Sequence, residues 1–95
     1  MKHCILVKWN SLVMDKAALL PGIRAIFEET LLLPGIHAAE LFPNVIDRPN
    51  RYDLMIVLSM DRDALPAYDE SAPHKAWKKG YGDYIESKAI FDYEA

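Results

Sequence analysis

Apolar residues recur in two rhythms along this chain, and the switches between them mark out its elements. Residues 3–9, His-Cys-Ile-Leu-Val-Lys-Trp, are rich in strand formers and stop at Asn10-Ser11, which predicts a strand. From Asp15 the spacing turns helical, with Leu19, Ile23, Ile26, Phe27, Thr30 and Leu31 on one face. Pro21-Gly22 interrupts that stretch, so the helix either kinks there or begins near Pro21 after a looser turn at residues 14–19. Pro34-Gly35 stops it and leads into a second strand, Ile36 to Phe42. Pro43 to Arg51, with two prolines and two asparagines, reads as a loop, and Tyr52 to Met60 is the clearest strand. Asp61 to Ser71 predicts a short helix capped by Asp61, with Ala64, Leu65 and Tyr68 on one side. Ala72 to Ser87 predicts a second helical piece, softened by Gly80 and Gly82, and Ala89 to Tyr93 a last strand.

The order β-α-β-β-α-α-β is the ferredoxin-like arrangement, an α+β fold with a four-stranded antiparallel sheet and helices on one face. Residues 1–95 form one domain of this kind.

A sheet with one wet face alternates apolar and polar residues, but here both parities are apolar. In strand 52–60, Leu54, Ile56, Leu58 and Met60 oppose Met55 and Val57; in strand 3–9, Ile5, Val7 and Trp9 oppose Cys4 and Leu6. Helices from one chain cover only one face, so the other calls for a partner. Covering it buries several hundred Å² per subunit, worth on the order of 10 kcal/mol before association costs. The expected assembly is a homodimer packed sheet against sheet. The alternative is a monomer in which residues 36–51 form the second layer.

Composition narrows the function. The chain is 52% apolar with a net charge of −3, and its longest basic run is the pair Lys78-Lys79. Neither nucleic acid nor a membrane surface is an expected partner. Cys4, the single cysteine, lies inside an apolar strand beside Ile5 and Leu6 and reads as a core residue. The apolar run Cys4 to Val7 is too short for a signal-peptide core, so a cytoplasmic location is expected. Three dispersed histidines lack the spacing of a zinc site, and no phosphate-binding loop or nucleophile elbow is present. No cofactor and no metal are expected.

The segment Ala67 to Trp77 carries the candidate chemistry. It sets Tyr68 and His74 six residues apart across a helix-to-helix joint, where Ser71 caps the second helix and Pro73 occupies its first turn. One continuous helix would rotate the two side chains about 240° apart, whereas a break lets both face one cavity. In the first turn, His74 meets the positive end of the helix dipole, which disfavours the imidazolium and keeps a ring able to accept a proton. Tyr68 is suited to polarising a carbonyl or steadying an enolate. His74, Trp77, Lys78, Tyr81 and Ile85 follow helical spacing, which puts His74 at the end of the buried stripe. The bland alternative is a packed tyrosine and a histidine that locks the helix start. His3 shares the parity of Ile5, Val7 and Trp9 and either joins a pocket or hydrogen-bonds at the sheet edge.

Four pieces together resemble the stress-responsive A/B barrel family, the dimeric α+β barrel domains. They are Lys2-His3 through Trp9, Leu33-Pro34-Gly35-Ile36, Asn50-Arg51-Tyr52-Asp53 through Val57, and Ala67-Tyr68 through Pro73-His74 followed by Ile90-Phe91-Asp92-Tyr93. The resemblance implies a ferredoxin-like subunit whose sheet packs on a second subunit to close a barrel. Plant members that act as polyketide cyclases use a Tyr-x5-His pair that matches Tyr68 and His74, and a pocket histidine that matches His3. The usual His-Pro-x-His run reads Ser71-Ala72-Pro73-His74 here, and Leu54 stands where the cyclases carry a further pocket histidine. Three readings follow. The first is a protein that binds a small apolar or carbonyl-containing molecule between helices and sheet. The second is a cyclase-like or lyase-like enzyme with His74 as base and Tyr68 as enolate stabiliser, and the third a purely structural stress protein. His3, Leu54, Trp77, Tyr81 and Phe27 are the expected pocket-lining residues.

Overall fold

The computed structural model describes residues 1–95. Strands β1 (Lys2–Trp9), β2 (Ile36–Pro43), β3 (Leu54–Met60) and β4 (Ile85–Tyr93) form one antiparallel sheet in the order β2-β3-β1-β4. Helices α1 (Leu20–Glu29), α2 (Leu65–Asp69) and α3 (Ala72–Tyr81) supply the other layer. No helix is long and apolar enough to cross a membrane.

The core lies between the two layers. Ile5, Val7 and Trp9 of β1 and Leu54, Ile56, Leu58 and Met60 of β3 pack against Ile23 and Phe27 of α1, Tyr68 of α2 and Trp77 of α3. Of the two apolar parities read from the sequence, the helices cover that of Ile5, Val7 and Trp9 and of Leu54, Ile56, Leu58 and Met60. The opposite face holds Cys4 and Leu6 beside Val57 and Met55, flanked by Phe42, Phe91 and Tyr93. Phe91 is 63% exposed, Tyr93 45% and Phe42 44%, so this apolar face stands open. Residues 36–51 do not layer over it. Residues 36–43 are a strand of the same sheet, and Asn44, Ile46 and Asp47 border a cleft with Trp9, Leu20 and Leu54 on the helix side.

The first helix begins at Leu20 with Pro21 in its first turn, after a single 3-10 turn at Ala17–Leu19. Proline has no N–H to lose there, so no kink is needed. Leu31, expected on the buried face, is 43% exposed. The chain tightens into a 3-10 turn over Thr30–Leu32, and the faster rotation per residue swings Leu31 outward. Tyr52 and Asp53 lie outside β3, which starts at Leu54; the Asp53 carboxylate instead accepts from the Trp9 amide at 2.8 Å and from Lys16 Nζ at 2.8 Å. The Asp61 side chain does not cap the helix after it; it accepts from His37 Nε2 at 3.0 Å. The last helical piece ends at Tyr81 and a 3-10 turn at Gly82–Tyr84, so Ile85 belongs to β4 and not to a helical stripe. Strand pairing decides this: Trp9 pairs with Ile85, and the Asn10 amide donates to the Tyr84 carbonyl at 2.8 Å.

Two glycines are set by close approach. A Cβ on Gly22 would run into the Tyr81 hydroxyl, so glycine leaves room for the tip of that α3 side chain against α1. Gly35 turns the chain into β2 with φ +84°, and a Cβ there would meet the Ala64 Cβ at 2.9 Å. Gly35→Ala is expected to lower the unfolding free energy by about 1–3 kcal/mol. Urea denaturation reads this directly, and an unchanged midpoint would remove the role assigned to the turn.

Candidate functional site

The joint between α2 and α3 builds the site. Continuing α2 through residue 73 would require an N–H that proline lacks and would press its ring on the carbonyl of Asp69. The chain breaks instead, with Ser71 extended at ψ 156°. The Ser71 hydroxyl then works twice: it donates to the Tyr68 carbonyl at 2.7 Å and accepts from the His74 amide at 3.3 Å. The Asp69 carbonyl, left without the residue-73 donor, accepts from His74 Nδ1 at 2.8 Å. A carbonyl cannot donate, so Nδ1 carries the proton. In the neutral ring, Nε2 keeps its lone pair, and it has no partner within the protein.

Tyr68 sits between two imidazoles. Its ring centroid is 4.9 Å from that of His74 and 5.5 Å from that of His3. His3 is buried on β1, an inner strand, and its Nδ1 lies 2.5 Å from Asp92 Oδ1 on β4. It is thus a pocket residue and not an edge residue. The Tyr68 hydroxyl is enclosed and has no hydrogen-bond partner in the protein. Burial is the main force pushing its pKa well above the ordinary phenol value, with the nearby Asp69 charge adding to it. The group is therefore a neutral O–H donor throughout the physiological range.

The pocket around these rings has a volume of about 290 Å³ and is lined by His3, Ile5, Tyr68, His74 and Trp77, with Asp69, Lys78, Lys88 and Asp92 among its charged residues. His3, Tyr68, His74 and Trp77, four of the candidate residues, line this one cavity. Three other expected lining residues lie elsewhere. Leu54 opens β3 opposite Val7, whereas His3 pairs with Leu58 at the far end of that strand, so Leu54 lines the other cleft, with Trp9 and Lys16. Phe27 and Tyr81 hold Trp77 in place, at centroid distances of 5.4 and 5.5 Å, and do not reach the pocket. Asp92 and Lys88 were missed. Their signal was present in the parity of β4: Lys88, Ile90 and Asp92 pair with Val7, Ile5 and His3, so two charges occupy helix-facing positions.

No group of three or more His, Cys, Asp or Glu side chains is arranged to hold a metal ion.

No protein-family model and no curated protein matches the sequence. Solved structures do. A dimeric protein from Bacteroides fragilis, described as having a ferredoxin-like fold, superposes with a TM-score of 0.81 at 21% identity, covering 99% of this chain and 94% of that one. This chain has the ferredoxin-like fold. A dabb family protein with the same fold from Mesorhizobium loti aligns at 15% identity and a TM-score of 0.73, over 99% of this chain and 94% of that one. Hydroxynitrile lyase from Passiflora edulis aligns at 13% identity and a TM-score of 0.74, over 97% and 89%. The pocket lies between α3 and edge strand β4, where Ile90 stays 48% exposed although its partner Ile5 is buried.

The buried phenol gives a pH signature. The unfolded tyrosine ionises near about pH 10, the folded one only above that. Its contribution is therefore fully present below about pH 10 and is lost as pH rises beyond, because the native state then holds the extra proton. Tyr68→Phe is expected to abolish that part of the alkaline stability loss and to leave the apo protein at least as stable near neutrality, since an unpaired buried hydroxyl costs about 1–3 kcal/mol. Paired denaturation series from neutral to strongly alkaline pH check both; parallel curves for the two proteins would refute the assignment.

Proposed function

We propose that this protein is a stress-responsive A/B barrel domain that binds a small carbonyl-containing molecule between helices and sheet. The observation that carries this reading is the enclosed and unpartnered hydroxyl of Tyr68, a residue that lines the pocket with its ring packed between two imidazoles. A carbonyl oxygen is the partner that such a donor lacks. Trp77 and Ile5 give the ligand an apolar wall.

A second reading, acid–base catalysis, is favoured by the tautomer of His74. With the proton on Nδ1 held by the Asp69 carbonyl, Nε2 acts as the base and removes a proton from the carbon next to the ligand carbonyl. The electron pair moves onto the carbonyl oxygen, and the Tyr68 O–H donates to the resulting enolate. Such a step serves a cyclase-like or lyase-like reaction, and the likeness to a hydroxynitrile lyase supports the capacity of this fold for it.

The assembly we infer is a homodimer joined through the open sheet face, supported by the exposed Phe42, Phe91 and Tyr93 and by the dimeric Bacteroides fragilis protein of the same fold. A cytoplasmic setting fits the single buried Cys4, whose thiol pKa burial raises.

Acetylacetone is a suitable probe. It is expected to shift pocket resonances in NMR titration, and Tyr68→Phe to weaken that binding about tenfold through loss of one hydrogen bond. For catalysis, wild-type protein accelerates deuterium exchange at the central carbon, and His74→Gln lowers the acceleration by about 10²-fold or more with binding retained. Binding without acceleration leaves the binder reading and removes the enzyme; no binding removes both. Light scattering at micromolar concentration is expected to give a dimer, and Phe91→Asp a monomer; a wild-type monomer would overturn the assembly.

A further inference from the structure

The charges of the pocket are sorted by side. Asp69 and Asp92 line it near the histidines, while Lys78 of α3 and Lys88 of β4 also line an adjoining groove of about 210 Å³ with Trp77, Gly82 and Ile85. No carboxylate lines that groove, and neither lysine is in a salt bridge, a state they share with Lys75 and Lys79 of α3. Lys88 is unusual in its placement. It pairs with Val7 and therefore projects on the helix-covered side of the sheet, where an edge strand would ordinarily carry an apolar residue. The helices stop short of it: Ile90, on the same side, remains 48% exposed although its partner Ile5 is buried. The cleft between α3 and β4 is thus open along its length, with hydrogen-bonding groups at one end and two unpaired cations at the other.

We propose that the ligand is an anionic carbonyl compound, a keto acid or a close relative, whose carbonyl lies at Tyr68 and His74 and whose carboxylate lies between Lys78 and Lys88. This rests on the carbonyl-binding reading above and adds the class of ligand and its direction in the cleft. The acids beside the histidines repel a carboxylate from that end, and the lysines attract it to the other. The two ammonium groups come from different elements, so only a ligand lying along the cleft meets both.

A matched pair of probes tests this, because acetoacetate and acetylacetone differ by a carboxylate in place of an acetyl group. Acetoacetate is expected to bind about tenfold more tightly at low salt, the sum of two partly exposed ion pairs. That preference should vanish in Lys78→Gln/Lys88→Gln, and also in about 0.5 M salt, where charge screening is short-ranged. Both lysines are exposed, and an unchanged circular dichroism spectrum confirms that the variant folds. Equal affinity of the two probes overturns the anionic assignment while leaving the carbonyl pocket standing. A preference that persists in the double variant also overturns it. If neither probe binds, the carbonyl-binding reading itself falls, and this inference with it.

Discussion

The Ser71 hydroxyl is the point through which the arrangement of the site is held. By donating to the carbonyl of Tyr68 and accepting from the amide of His74, it locks the angle between two short helices that Pro73 prevents from fusing. The break has a second effect, because the carbonyl of Asp69 would otherwise be committed to the helix ladder. Freed from it, that carbonyl accepts a hydrogen bond from the Nδ1–H of His74 and so selects which ring nitrogen is available. A backbone irregularity thereby determines the protonation pattern of a side chain.

Behind the pocket, Trp77 acts as the fixed wall. It lies against Trp9 of β1, Phe27 of α1 and Tyr81 of its own helix, and is almost completely buried. Aromatic pairs of this kind contribute about 0.5–1.5 kcal/mol each beyond simple burial. Rigid packing on one side contrasts with the unmet hydroxyl of Tyr68 on the other. The domain keeps one unsatisfied polar group inside its core.

Much of this was legible in the residues. Two apolar parities in strands 3–9 and 52–60 implied two faces to cover, though not which of them the helices take, and Ser71-Ala72-Pro73 named the break that brings Tyr68 and His74 together. Leu31 and Ile85 were misplaced because a 3.6-residue period was carried past the ends of helices that tighten or stop, and Ile85 is claimed by its pairing with Trp9 of β1. Leu54 was misplaced for another reason. Parity puts a residue on the correct face, but only register along the strand tells which end of the sheet it reaches, and register follows from cross-strand pairing that the local sequence does not contain. Asp92 and Lys88 share the parity of Ile90 but were overlooked, because Lys88 lies outside the strand expected at Ala89 to Tyr93 and only cross-strand pairing tells which parity faces the helices.

The charges spaced along β4 matter also for how the molecule grows. Glu86, Lys88 and Asp92 are distributed along an outer strand whose backbone groups on one side have no neighbouring strand, and Pro43 ends the outer strand at the opposite border. Such placements discourage a further strand from docking side by side. Lateral growth into a continuous ribbon is thereby penalised at both borders, while the apolar surface between them invites contact broadside. The geometry separates productive pairing of two copies from open-ended polymerisation, a distinction that matters for a domain that leaves so much oily surface uncovered when alone.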